Sequence, residues 1–239
     1  MDRLGETWVY LSTSPLLHLF LTLCAFQIGA ALHRRAGNAA LVNPVLIAVV
    51  LVVAVLLITD TTYERYFEGA QFVHFLLGPA TVALAIPLYR QLARVRRSAL
   101  ALGASILVGS LTAALSAVAT AWALGAGRDT LVALAPKSVT APVAMGITEQ
   151  LGGLPSLTAV LVILTGVLGA ALGPYLLSAI GVHDWAARGV ALGTASHGIG
   201  TARALSVREV AGAFAGLAMG LNALATAALL PALARWLLP

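Results

Sequence analysis

The sequence predicts an all-α integral membrane protein. Of its 239 residues, 60% are hydrophobic and only 10% are charged, and the mean hydropathy is +0.95. A 10% share of charged residues is too small to solvate the surface of a globular protein of this length. Apolar runs recur from end to end with no polar block between them, so we expect a single transmembrane domain over residues 1–239.

Six apolar runs are candidate membrane-spanning helices, because a helix needs about 20 residues to cross the hydrocarbon core. They lie at residues 15–32, 43–58, 71–89, 100–124, 154–180 and 210–238. Two further segments carry the polar motifs described below, and they either cross the membrane or enter and leave on one side. The expected total is about eight transmembrane or re-entrant segments.

The basic residues cluster in short stretches between apolar runs, above all at residues 90–97. Such clusters mark cytoplasmic loops under the positive-inside rule, and we expect the acidic stretch at residues 60–68 to be a loop on the other side. The net charge of +5 therefore does not indicate a nucleic-acid partner. We expect a multi-pass membrane protein with these basic clusters on the cytoplasmic side.

The first polar motif, at residues 136–142, places a lysine between two prolines. Pro136 and Pro142 have no N–H to donate, so we expect the helix to break there, and Pro79 predicts a similar break. An ionisable group at bilayer depth costs about 2.5 to 3.5 kcal/mol and faces a cavity, a partner charge or a substrate. For Lys137 the structural alternatives are a pair with Glu149 or extension to the membrane surface.

The second polar motif, at residues 193–203, combines glycines and hydroxyl residues around His197. An imidazole with an ordinary pKa of about 6.5 can exchange a proton near neutrality. The alternative is a packed histidine bonded to a backbone carbonyl. The hydroxyl groups of both motifs either bind a ligand or satisfy carbonyls that the helix breaks leave free.

Together the motifs predict a site for a small anion, because a cation and the positive end of a broken helix both attract negative charge. The candidate substrate-binding residues are Lys137, Ser138, Thr140, Thr194, Ser196, His197, Gly198, Gly200 and Thr201. His197 is the candidate for proton coupling. The sequence holds no catalytic motif and no metal-ligand spacing, so we expect neither an enzyme nor a metal or cofactor.

These motifs resemble those of the LrgB/CidB family of bacterial membrane proteins. The resemblance rests on residues 136–145 and 193–203, and residues 41–44 and 78–89 follow the same order and spacing. Two positions depart from it: Ala141 stands where many relatives have threonine, and Glu149 stands where relatives are often uncharged. The similarity covers nearly the whole chain.

The resemblance implies two functions. Plant relatives exchange glycolate and glycerate, and some bacterial members are linked to pyruvate or lactate, which favours a secondary transporter of small monocarboxylates, coupled to protons. The alternative is a holin-like or antiholin-like regulator of murein hydrolase activity and cell lysis. Either role implies a small LrgA/CidA-type membrane partner, and we also expect a homo-oligomer in the lipid bilayer.

Overall fold

The computed structural model describes residues 15–39, 42–83 and 85–237, and these residues form helices and no strand. The prediction of an all-α protein is confirmed for this part of the chain. The described helices, in chain order, are α1 (Pro15–Arg35), α2 (Pro44–Ile58), α3 (Tyr63–Phe75), α4 (Leu77–Ala83), α5 (Ala85–Arg90), α6 (Leu92–Arg97), α7 (Ala99–Ala123), α8 (Arg128–Leu134), α9 (Ala141–Gln150), α10 (Pro155–Ala179), α11 (Trp185–Val207) and α12 (Glu209–Leu237).

Four described helices are long and apolar enough to cross a membrane: α1, α7, α10 and the part of α12 from Glu209 to Ala234. Helix α2 is equally apolar but has only 15 residues. The prediction of a multi-pass membrane protein is confirmed. The total of eight segments stays a prediction.

The predicted crossing at residues 71–89 does not form one helix. Helix α3 ends at Phe75, and α4 and α5 have only 7 and 6 residues. Pro79 and Pro87 fall in the first turns of α4 and α5, where a missing N–H leaves no hydrogen bond unmade. Each proline therefore lies in the first turn of a new short helix.

The predicted loop at residues 60–68 was wrong from Tyr63 onward, because α3 begins there. Tyr66 of this segment packs on α1, which a residue of a solvated loop would not do. The hydroxyl groups of Tyr66 and Thr22 share a hydrogen bond of 2.9 Å, and the Tyr66 ring lies edge-on to His18.

The described residues up to Ala83 form one compact unit, and those from Ala85 onward form another. In the first unit, Gly29 of α1 packs directly against the backbone of Pro44 at the start of α2. The side chain of Asn43 accepts hydrogen bonds from the N–H groups of Val45 at 2.8 Å and Leu46 at 3.3 Å. Asn43 therefore caps α2, as its preference for this position predicts.

In the second unit, α11 reverses direction at its middle. Ser196 (φ −131°, ψ 17°) and His197 (φ 41°, ψ −133°) have non-helical backbone angles. Gly200 lies so close to Leu192 that a Cβ at Gly200 would be 3.2 Å from the Leu192 carbonyl carbon. In a straight helix, residues eight apart are separated by about 12 Å. Residues 185–195 and 198–207 therefore form an antiparallel hairpin, named here hairpin 2.

Helices α8 and α9 form a similar arrangement, named hairpin 1, which turns at residues 135–140. Leu131 of α8 and Ile147 of α9 belong to one buried apolar cluster. At the open end, the Arg128 guanidinium donates a hydrogen bond of 3.5 Å to the Leu151 carbonyl. The two arms thus begin and end on the same side.

The two hairpins enter the second unit from opposite ends of α7. Near its start, Leu102 and Ile106 pack against Ala186 and Val190 of hairpin 2. Near its end, Ala114 and Val118 pack against Leu131 and Ile147 of hairpin 1. The tips of the hairpins, which carry the two polar motifs, therefore point toward the middle of α7.

Candidate functional site

The tips of both hairpins are held by one side chain, Asn222 of α12. Its amide nitrogen donates hydrogen bonds to the Ser138 carbonyl at 3.3 Å and to the Thr194 carbonyl at 3.0 Å. Asn222 is only 1% exposed. Because a backbone carbonyl inside a broken helix lacks its usual N–H donor, the amide supplies a partner to each tip. The structure thus brings the first and second motifs together.

Lys137 lies at the tip of hairpin 1 and is half-buried. Its ammonium group donates to the Ser138 hydroxyl at 3.3 Å. The ion pairs in the described part of the chain are Arg90–Glu209 and Arg94–Asp184. The alternative pairing of Lys137 with Glu149 is therefore absent there, and Glu149 is exposed.

The N-terminus of α9 follows Lys137 closely in the chain. Thr140 precedes α9 in an extended conformation (φ −61°, ψ 146°), but its side chain makes no capping hydrogen bond. The N–H groups of the first turn therefore have no side-chain cap, and the positive end of the helix dipole lies beside the lysine. This combination attracts an anion.

His197 is buried at the tip of hairpin 2. Its Nε2 donates a hydrogen bond of 2.9 Å to the Val162 carbonyl of α10, since a carbonyl only accepts. The ring lies against Gly166, where a Cβ would come within 2.6 Å of it. These contacts match the packed histidine of the structural alternative. Proton coupling through His197 stays a prediction.

The hydroxyl groups of the second motif divide into two kinds. Thr201 donates to the His197 carbonyl one turn earlier at 2.8 Å, so its hydroxyl is already bonded within its own arm. By contrast, Thr194 and Ser196 are 6% and 1% exposed, and their hydroxyl groups have no hydrogen-bond partner among the described protein atoms. The Oδ1 atom of Asn222 also lacks a partner there. These polar atoms are therefore buried without a bonding partner in the described part of the chain, and the Ser196 hydroxyl lies against Gly169 of α10.

The glycines of the second motif pack against helices. Gly193 lies against the Ala215 carbonyl of α12, and Gly200 against the Leu192 carbonyl of the opposite hairpin arm. At Gly198, a Cβ would meet only the Met219 sulfur, 3.9 Å away. Two of these glycines thus allow close backbone packing rather than approach to a ligand.

A groove of about 490 Å³ runs between α7 and the first arm of hairpin 2. Arg94, Ser98 and Asp184 line one end, and Gly109 and Thr194 line the other. Of the predicted site residues, only Thr194 lines this groove. Lys137, Ser138 and His197 lie outside its lining.

Sequence reasoning missed Asn222, Gly166 and Gly169. Asn222 stands alone in a long apolar run, and that isolation could have marked it. Gly166 and Gly169 make room in α10 for the His197 ring and the Ser196 hydroxyl, respectively. Glycines are common in membrane helices, so the presence of a glycine in the sequence does not show which side chain packs against it.

Comparison with known proteins gives one consistent result. A family model described as the LrgB-like family matches residues 22–236. The chain is 38% identical to the uncharacterized protein YxaC of Bacillus subtilis, with 86% of this chain and 89% of that protein covered. It is 33% identical to the holin-like protein CidB of Staphylococcus epidermidis, with coverage of 91% and 94%.

A further relative is the antiholin-like protein LrgB of Bacillus cereus, which is 32% identical, with coverage of 91% of this chain and 95% of the relative. No solved structure matches the chain at a significant level. The relatives, together with the four long apolar helices, establish a multi-pass bacterial membrane protein.

Proposed function

The chain belongs to the LrgB-like family, and we propose that it carries small monocarboxylates across the membrane through a site between its two hairpin tips. The observation that carries this proposal is the bridge from Asn222 to Ser138 and Thr194. It holds the tip of hairpin 1, which carries the half-buried Lys137, beside the tip of hairpin 2, which carries the buried Thr194 and Ser196.

The chemistry of these groups suits a carboxylate with a neighbouring hydroxyl or keto oxygen. The Lys137 ammonium and the uncapped start of α9 attract the negative charge. Hydroxyl groups of the tips donate hydrogen bonds to the remaining oxygens. We therefore expect glycolate, glycerate, pyruvate or lactate as the substrate class, and no catalysis.

The reversal of both motif segments favours re-entrant hairpins over complete crossings. Broken helices that meet from opposite sides of the membrane are typical of secondary transporters, whose sites lie near the bilayer midplane. Non-helical backbone at that depth is tolerated where protein or water surrounds it. Burial of Ser138 and Ser196 supports this placement of the tips.

The test of the transport proposal is uptake of radiolabelled glycolate, pyruvate and lactate into proteoliposomes that contain the purified chain. We expect uptake above that of protein-free liposomes, and unlabelled substrate on the far side should accelerate it by exchange. Absence of flux for all three acids, with an LrgA/CidA-type partner present, would contradict transport.

A second candidate function comes from the names of the relatives. Two of them are described as holin-like and antiholin-like, and these names favour regulation of cell lysis more directly than they favour transport. In this role the chain would act with an LrgA/CidA-type partner on murein hydrolase activity, and oligomerisation would matter more than any single lysine.

Autolysis separates the two candidates. The experiment measures autolysis rate and murein hydrolase activity in cells that lack this protein. If the regulatory function is independent of transport, both the wild type and Lys137→Gln should restore these two quantities. If the lysis phenotype follows from transport, Lys137→Gln should fail to complement, in parallel with its loss of uptake.

A further inference from the structure

The groove between α7 and hairpin 2 ends at the candidate site. Its inner end is formed by Thr194, whose buried hydroxyl has no partner among the described protein atoms. Its outer end is formed by Arg94, Ser98 and Asp184, next to the arginine-rich segment that the positive-inside rule assigns to the cytoplasm. The groove thus runs from the predicted cytoplasmic side to the Thr194 side chain, whose methyl group faces Gly109 of α7.

The walls of the groove carry small side chains along much of its length. Residues 101, 105, 109 and 113 of α7 are alanine, serine or glycine, and residues 187, 191 and 195 of hairpin 2 are alanines. A spacing of four residues places each set on one face of its helix. The small side chains leave the space open, and its volume falls within the range of about 300 to 1,000 Å³ that small-molecule sites occupy.

One ion pair stands across the outer end. The Arg94 guanidinium donates to the Asp184 carboxylate at 2.6 Å, so it ties the segment before α7 to the start of hairpin 2. The N–H of Ala187, and then the hydrogen bond from Arg94, lower the pKa of Asp184, so this carboxylate is charged at neutral pH. The two side chains remain 46% and 55% exposed, and exposed pairs are weak enough to open and close.

We propose that this groove is the cytoplasmic route to the candidate site and that the Arg94–Asp184 ion pair is its gate. The proposal rests on the proposed transport function. When the pair is closed, it narrows the entrance between α7 and hairpin 2. When it opens, Arg94 offers its charge to the substrate carboxylate, which then moves along the groove to the Thr194 side chain.

A matched pair of variants tests the gate. Asp184→Asn removes the ion pair but keeps a side-chain oxygen for the Ala187 N–H, because asparagine caps helices as well as aspartate does. Glu209→Gln breaks the neighbouring Arg90–Glu209 pair, which has a distance of 2.9 Å and does not line the groove. The second variant controls for general loosening of the cytoplasmic face.

The readout is access to the inner end, independent of transport. Cys24 is the only cysteine, so Cys24→Ser with Thr194→Cys gives a single reporter. A charged, membrane-impermeant thiol reagent is added to inside-out vesicles and the labelling rate is measured. We expect Asp184→Asn to raise the rate by about 1.4- to 5-fold, which is the shift an exposed ion pair produces, and Glu209→Gln to leave it unchanged.

Three outcomes would overturn the inference. An unchanged labelling rate in Asp184→Asn would show that the ion pair is not a gate. An equal rise in Glu209→Gln would show that loss of either pair loosens the whole cytoplasmic face. Ala195→Cys, at an exposed position, serves as a second reporter. Absence of labelling at both reporters, with the ion pair intact or removed, means that lipid fills the groove. If labelling rises only in Asp184→Asn but the protein takes up no monocarboxylate, the groove is still a gated route and the proposed transport function is refuted.

Discussion

The side-chain amide of Asn222 donates a hydrogen bond to the backbone carbonyl of Thr194, 3.0 Å away, and this contact fixes the tip of hairpin 2 to α12. The same nitrogen reaches the Ser138 carbonyl of hairpin 1. A change at this one side chain therefore acts on both polar motifs at once.

Asn222→Ala should destabilise the protein and abolish transport. It removes two hydrogen bonds and leaves buried carbonyls unpaired, a loss of about 1 to 3 kcal/mol in the free energy of unfolding. The melting temperature in detergent micelles and the uptake by proteoliposomes measure the two effects.

Thr226→Val is the matched control for Asn222→Ala. Thr226 is buried one turn further along α12, and its hydroxyl shares a hydrogen bond of 3.0 Å with the Ser110 hydroxyl of α7 rather than with a motif residue. We expect a comparable loss of stability with uptake retained. If both variants lose uptake equally, the bridge has no specific role at the site.

Gly166→Ala should displace the His197 ring. A Cβ at this position would come within 2.6 Å of the ring, and overpacking of this kind costs about 1 to 3 kcal/mol. The ring then loses its hydrogen bond to the Val162 carbonyl. Reduced thermal stability and slower uptake are the expected results.

Gly146→Ala gives the comparison for Gly166→Ala. Gly146 lies inside α9 with no other group near the position of a Cβ. Alanine there should be neutral or stabilise the helix by up to about 1 kcal/mol. Equal destabilisation by the two substitutions would show that contact with His197 is not the cause.

Helix positions could be predicted from the sequence because apolar runs end at recognisable residues. Asn43 and Pro44 mark the start of α2, and the predicted run at residues 154–180 is within one residue of α10 at each end. The prediction failed at residues 60–68, because Tyr66 packs on α1, and only the tertiary structure reveals that contact.

The motif residues could be identified from the sequence, but their partners could not. Lys137 and His197 were evident as polar groups in apolar surroundings. The linear sequence does not indicate that Asn222 reaches carbonyls 84 and 28 residues away. The positive φ of the chain reversal falls on His197 itself rather than on Gly198 or Gly200, where glycine preference would place it.

His197→Gln tests proton coupling. Glutamine can donate to the Val162 carbonyl but does not titrate, so it separates packing from proton transfer. If His197 carries the proton, exchange of substrate should persist while accumulation driven by an imposed pH gradient is lost. Wild-type accumulation in this variant would remove the proton-carrier role and leave the packed histidine.

The central claim is that Lys137 binds the substrate carboxylate, and uptake by Lys137→Gln tests it most directly. Glutamine keeps length and polarity but removes the charge, and the lost charge-assisted contact is worth about 1.5 to 3 kcal/mol. The apparent affinity for the transported monocarboxylate should therefore fall by about 10-fold to 150-fold. Glu149→Gln, a change of an exposed acid, should leave affinity unchanged. Unaltered affinity in Lys137→Gln, measured in proteoliposomes at equal protein content, would contradict the assignment of the site.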